Sequence, residues 1–258
     1  MTARQKFKMT LDCTMTALSL VLMGGNYFFA NGAVHEILGI VLFVLWAVHV
    51  WLNRGFYKSL FKGRYNAFRV VQAVVNCGIL LCAVLLMASG IMVSNHVFTF
   101  LGISFGAELA RTVHLISSHW YFVFMSLHVG MHVGLIVRKF AGKKPASFAG
   151  FCEAKIDADC DKSKTREERT LCVRTTNAQI KKIIFYIVLA LVCAYGVYAF
   201  VVRNIGKYLL FLQPFFFFDM EQGYALFFVD YICIMTAIAT AGYYLGKVTK
   251  KDKQEVSK

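Results

Sequence analysis

Six apolar runs, each of roughly 20 residues, divide the chain, and a helix of that length covers about 30 Å of bilayer hydrocarbon. The runs predict helices over about Thr10–Ala30, Ala33–Leu52, Arg69–Ser94, Thr112–Val137, Ile183–Val202 and Tyr224–Val248. Asn31-Gly32 reads as a tight turn, so the first two segments form a helical hairpin. Arg4, Lys6 and Lys8 before the first run imitate a secretory signal. That run is too long for one, and the residues before Val34 make a poor cleavage site, so the segment is expected to stay as a helix.

Composition agrees with the pattern. Hydrophobic residues make up 58% of the 258 positions, charged ones 16%, and the mean hydropathy is +0.59. Soluble domains sit nearer 45–50% apolar. The expected fold is therefore all-α, a polytopic membrane protein with six transmembrane helices. Residues 1–140 form a four-helix bundle, 141–181 a cytoplasmic loop, and 182–258 a two-helix hairpin with a basic tail.

The formal charge of +14 first suggests nucleic acid, and its placement argues against that. Of the Lys and Arg residues, 25 fall on one side of the predicted map. The other side has three: Arg111, Arg203 and Lys207. The positive-inside rule puts both termini in the cytoplasm of a multi-pass protein of the bacterial inner membrane. The charge is then a topology signal, and the cations meet anionic lipid headgroups.

Histidines bring in the chemistry. His35 and His49 share the second segment, 14 residues apart, and His114 and His128 share the fourth at the same spacing. Fourteen residues fall about 40° short of four full turns, so each pair lies on one helix face, about 21 Å apart along the axis. The two segments run in the same direction, which matches His35 with His114 in depth, and His49 with His128. Two facing imidazole pairs, one per leaflet, are what two bis-histidine b-type haems need. An ionisable group inside a span is costly and points to function. The plainer reading is that each histidine only hydrogen-bonds between helices.

His132, one turn after His128, is the rival for the inner ligand. His119 points away from His114 and reads as an interhelical bond. His96 follows the third segment in an outer loop, as a solvated interface residue or the lining of a quinol entry. Arg111 and Arg54 are candidate propionate partners. Asp230, about 10 Å deep in the sixth segment, is either a proton shuttle at a quinol site or a partner for Tyr195 or Tyr198. Gly39, Gly78, Gly90, Gly130 and Gly134 allow close approach of helices or of a flat macrocycle. The loop between the fourth and fifth segments holds Cys152, Cys160 and Cys172 at no trusted metal spacing. Asp157, Asp159, Asp161, Ser163, Thr165 and Glu168 follow a calcium-loop template, but Lys162 takes the place of its turn glycine.

Several stretches are similar to the bacterial flavinylation-associated cytochrome family. They are His35-Glu36-Ile37-Leu38-Gly39, His49-Val50-Trp51-Leu52-Asn53-Arg54, the run from Lys58 to Asn66, Ser89-Gly90-Ile91-Met92-Val93-Ser94 and His128-Val129-Gly130-Met131-His132. The resemblance covers about the first 140 residues. It implies a dihaem membrane cytochrome with His35, His49, His114 and His128 as haem iron ligands. It further implies quinone as substrate and an extracytoplasmic FMN-bearing or other redox protein as partner. On this reading the chain is an electron-transfer subunit of an oxidoreductase rather than a stand-alone enzyme. A cytochrome b anchor of a hydrogenase or formate dehydrogenase shares the same bundle logic. A ferric reductase would need its own dehydrogenase, and no nucleotide-binding glycine fingerprint is present. A cofactor-free transporter or scaffold is the alternative of a different class.

Overall fold

A computed structural model describes residues 2–29, 31–60, 62, 65–103, 105–141, 166–213, 215–216 and 223–255. Its regular elements are all helical: α1 (Ala3–Leu22), α2 (Gly32–Leu52), α3 (Arg54–Ser59), α4 (Ala67–Val93), α5 (Ala107–Ala141), α6 (Arg166–Val202), α7 (Ile205–Leu209) and α8 (Gly223–Glu255). Cys152, Cys160 and residues 157–165 of the calcium-like pattern lie outside the described residues. Cys172 and Glu168 fall on α6, where the backbone alone is described. The helix thus begins well before the expected fifth span.

Local chemistry starts the helices. Thr2 and Gln5 form a reciprocal capping box ahead of α1. Asn31 accepts from the Ala33 N–H at 2.9 Å, and Asn66 from the Arg69 N–H at 2.9 Å. Asn31-Gly32 is therefore the start of α2 rather than a free-standing turn. The first helix also ends earlier than expected, at Leu22 instead of near Ala30. Gly25 has a φ of 61°, a left-handed conformation that stops the helix, and a 3-10 turn follows at Gly25–Phe28.

Of the six expected spans, four are long and apolar enough to cross a membrane: α2, α4, Gln179–Val202 of α6 and Gly223–Thr249 of α8. The criterion leaves out α1, which carries Arg4, Lys6, Lys8 and Asp12, and α5, which carries Glu108, Arg111 and four histidines. Large apolar side chains such as Trp51, Leu81, Leu191 and Val201 face outward. A lipid environment suits that surface, because water would penalise it.

The packing is centred on α5, which lies against α4 on one side and α8 on another, while α6 covers α8. Gly130 makes the α5–α8 approach possible, since a Cβ there would sit 2.0 Å from the Ala239 carbonyl oxygen. Phe122, Phe227, Tyr231 and Ile234 fill the centre of this part. On the other flank, α1 packs on α2, and Lys8 donates to the Leu52 carbonyl (3.1 Å) and to Asn53 Oδ1 (3.0 Å). α2 touches the edge of α4 and barely approaches α5. The space between α2 and α5 is where the histidines meet.

Candidate functional site

His35 faces His114 with ring centres 6.4 Å apart, and His49 faces His128 with ring centres also 6.4 Å apart. The order of the contacts makes α2 and α5 parallel. Two imidazoles bound on opposite sides of one iron place their ring centres about 6 Å apart, from two metal–nitrogen bonds of about 2 Å plus the ring radii. Both pairs have that spacing.

Hydrogen bonds decide which nitrogen is available. His128 Nδ1 lies 2.8 Å from Asn76 Oδ1, which only accepts, so Nδ1 carries the proton. His49 Nδ1 lies 2.7 Å from an Asp12 carboxylate oxygen, with the same consequence. Ser89 donates its hydroxyl to the Leu85 carbonyl at 2.6 Å and accepts from His114 Nδ1 at 3.1 Å. In all three, a neutral ring keeps its lone pair on Nε2. Asn53 Nδ2, 3.4 Å from His49 Nε2, donates toward that lone pair. An acceptor at Nδ1 fixes the ring and raises its basicity in metal-binding histidines, whereas the Asn53 amide lies at the nitrogen that a metal would take. The buried Nδ1 of His35 has no hydrogen-bond partner among the described residues.

A cavity of about 620 Å³ opens beside the His35–His114 pair. His96, Arg111, Phe98 and Phe216 are among its lining residues, with Gly39 and Gly90 in the helix walls. A Cβ on Gly39 would meet nothing within 4 Å, and one on Gly90 would come 3.5 Å from His114 Cε1. This volume falls within the range of ligand pockets, roughly 300–1,000 Å³. The open wall at Gly39, the unbonded His35 nitrogen and the neutral ligand-type rings fit a flat, iron-bearing group.

The other expected residues are placed as follows. His132 lies beside His128, ring centres 4.6 Å apart, and His128 is the ring that faces His49 at 6.4 Å. His119 is buried, donates from Nδ1 to the Leu115 carbonyl at 2.8 Å, and stacks on Tyr208 at 4.4 Å. It joins the α5–α7 contact and also lines the cavity, with its buried Nε2 unpartnered among the described residues. Arg54 lies over the Trp51 ring at 4.8 Å and donates to the Trp51 carbonyl. Asp230 is 4% exposed and both of its oxygens are taken. Tyr195 donates to one at 2.6 Å, and Arg203 bonds the other at 2.7–2.8 Å. It is an interhelical link between α6 and α8.

Besides Asp12, three residues that carry site geometry were not singled out in the sequence for this role. Asn76 and Ser89 are buried polar positions in the apolar α4, 13 residues apart, echoing the 14-residue spacing on α5. That echo was the available signal. Glu36 is the third. It accepts from Ser94 Oγ, from the backbone N–H groups of Asn95 and Val97, and from His96 Nδ1. It pins the outer loop over the cavity. No family model, curated protein or solved structure matches the chain.

Proposed function

We propose that the chain is a membrane electron-transfer subunit that holds two b-type haems. One would sit between His35 and His114, the other between His49 and His128. The observation that carries this reading is the pair of facing histidine couples at one common ring separation of 6.4 Å. Three of the four rings have Nδ1 hydrogen-bonded, to Asp12, Asn76 and Ser89. The bonds to Asp12, Asn76 and Ser89 also suit interhelical links; the shared ring separation is what favours an intervening metal.

When bound, haem supplies one-electron chemistry. The chain's own residues hold the rings, shape the apolar slot between α2 and α5, and keep one site toward each end of the helices. Arg111 on the cavity wall is placed to meet an acidic group. His96 and Glu36 border the same cavity, at the end where a quinol or an extracytoplasmic redox protein would approach. We assign the partner as an FMN-bearing or similar protein outside the inner membrane, with both termini of this chain in the cytoplasm, in line with the cytochrome family it resembles.

Pyridine haemochrome analysis of the purified protein tests the reading, with two haems expected per chain. A colourless protein overturns it in favour of a transporter or scaffold. A value near one leaves a single pair standing. For the orientation, an impermeant thiol reagent applied to intact cells is expected to leave Cys152, Cys160 and Cys172 unlabelled. Ready labelling from outside would invert the map.

A further inference from the structure

We infer that Asp12 makes the haem held by His49 and His128 the harder of the two to reduce, by accepting a hydrogen bond from its axial imidazole. This rests on the haem reading above. Asp12 belongs to α1, outside the α2–α5 pair, and its carboxylate oxygen lies 2.7 Å from His49 Nδ1. A carboxylate drawing on Nδ1–H pushes electron density onto Nε2, which strengthens the bond to ferric iron. Second-shell hydrogen bonding of this kind is one of the levers a protein has on haem potential. A negative charge one ring away from the metal also favours the oxidised, more positive state.

Among the described residues the other pair has no carboxylate in hydrogen-bond contact, and Glu36 acts on His35 only through space. His114 donates to a hydroxyl, Ser89, whose own proton goes to the Leu85 carbonyl. Among the described residues no well-formed hydrogen bond is made at His35 Nδ1, with the Gly25 backbone as a neighbouring acceptor of the ring. The acid next to it in sequence, Glu36, is bonded to Ser94, Asn95, His96 and Val97 of the outer loop. Arg111 adds a cation to the cavity wall, which favours the reduced state there. Near the Asp12 end, Lys8 directs its ammonium at the Leu52 carbonyl and Asn53 Oδ1. It softens the field of Asp12 without occupying the bond to His49. The two sites, alike in ligands, therefore differ in whether a carboxylate is bonded to one of the rings.

Redox titration of the full-length protein in two backgrounds tests the inference. His114→Ala is expected to leave the His49–His128 haem alone, and His128→Ala the other. In the first background, Asp12→Asn keeps an acceptor but removes the charge. At the potential where that haem was half reduced, its reduced-to-oxidised ratio is expected to rise about tenfold, which is 59 mV for one electron. Asp12→Glu should restore the original midpoint. In the second background, Asp12→Asn should shift nothing. A change of less than twofold, an equal shift in both backgrounds, or a His49–His128 haem that titrates above its counterpart overturns the inference. Loss of the haem from both Asp12→Asn and Asp12→Ser makes the residue a structural prop and also overturns it. Absence of haem from the unmodified protein is a different failure, that of the cytochrome reading, and is visible before any titration.

Discussion

The His35–His114 and His49–His128 pairs, outer and inner in the proposed orientation, share a ring separation of 6.4 Å and differ in what stands behind the rings. Behind the inner pair are a carboxylate on α1 and an amide on α4, Asp12 and Asn76. Behind the outer pair are one hydroxyl, Ser89, an unbonded nitrogen, and a cavity of about 620 Å³ bordered by His96 and Arg111. Ligand type and spacing therefore set what each site can hold. The surrounding bonds set how firmly, at what energy, and with what access. The inner site, built from α2 and α5, is bonded to α1 and α4, whereas the outer site opens toward the loop that Glu36 pins.

The largest expected effect breaks the comparison outright. His35→Ala and His114→Ala should each lose the same haem, and His49→Ala and His128→Ala the other, as read by haem content and the visible spectrum of each variant. A spectrum in which His35→Ala and His128→Ala affect one common haem would dissolve the two-pair arrangement. His119→Ala should leave both spectra unchanged, since its Nδ1 is bonded to Leu115 and its ring stacks on Tyr208; a changed spectrum would make its buried Nε2, unpartnered among the described residues, a ligand. His132→Ala is the control on the inner side.

Next in size is a change that should strike both sites alike. Arg203→Ala leaves the buried Asp230 without its cation, at a cost of about 3–5 kcal/mol. Thermal unfolding in detergent should fall, and both haems should be lost together on heating. A selective loss of one would tie the α6–α8 link to a single site and undo the separation drawn above.

Smaller effects sharpen the contrast. Asn76→Ala should weaken the inner site and Ser89→Ala the outer, each by about 10–100-fold in cofactor affinity, the usual cost of removing a residue that orients a metal-bound histidine. Haem retention during competition with a haem-binding protein measures this. Equal losses at both sites would mean that the bonds to α4 support the bundle rather than their own rings. The smallest effect is expected at Gly90→Ala, because its Cβ reaches His114 Cε1 at 3.5 Å, an ordinary contact. Gly90→Leu has no such room and should lower outer haem content alone.

Much of this architecture was legible in the chain. Apolar runs of membrane length foretold all six long helices, because helix formation in an apolar stretch answers to local periodicity and length. The 14-residue spacings foretold which histidines share a face, since helical phase is a property of one segment. The end of the first helix was misplaced near Ala30, because hydropathy does not register that Gly25 takes a left-handed turn. The polar character of α1 and α5 was legible too, yet counting segments by length gave them the same weight as the four more apolar ones.

What the chain alone determined is therefore the set of helices and the face that each histidine occupies. These depend on residues close in sequence. Only the tertiary structure decided that Asp12 stands behind His49, that Asn76 and Ser89 hold the rings of α5, and that Asp230 meets Arg203 and Tyr195. It alone also decided that Gly130 serves the α5–α8 packing while Gly39 faces open space. The physical reason is the same in each case. A hydrogen bond or a close approach depends on the rotation and depth of a second helix, and those are set by the packing of the whole bundle rather than by the period of any one segment.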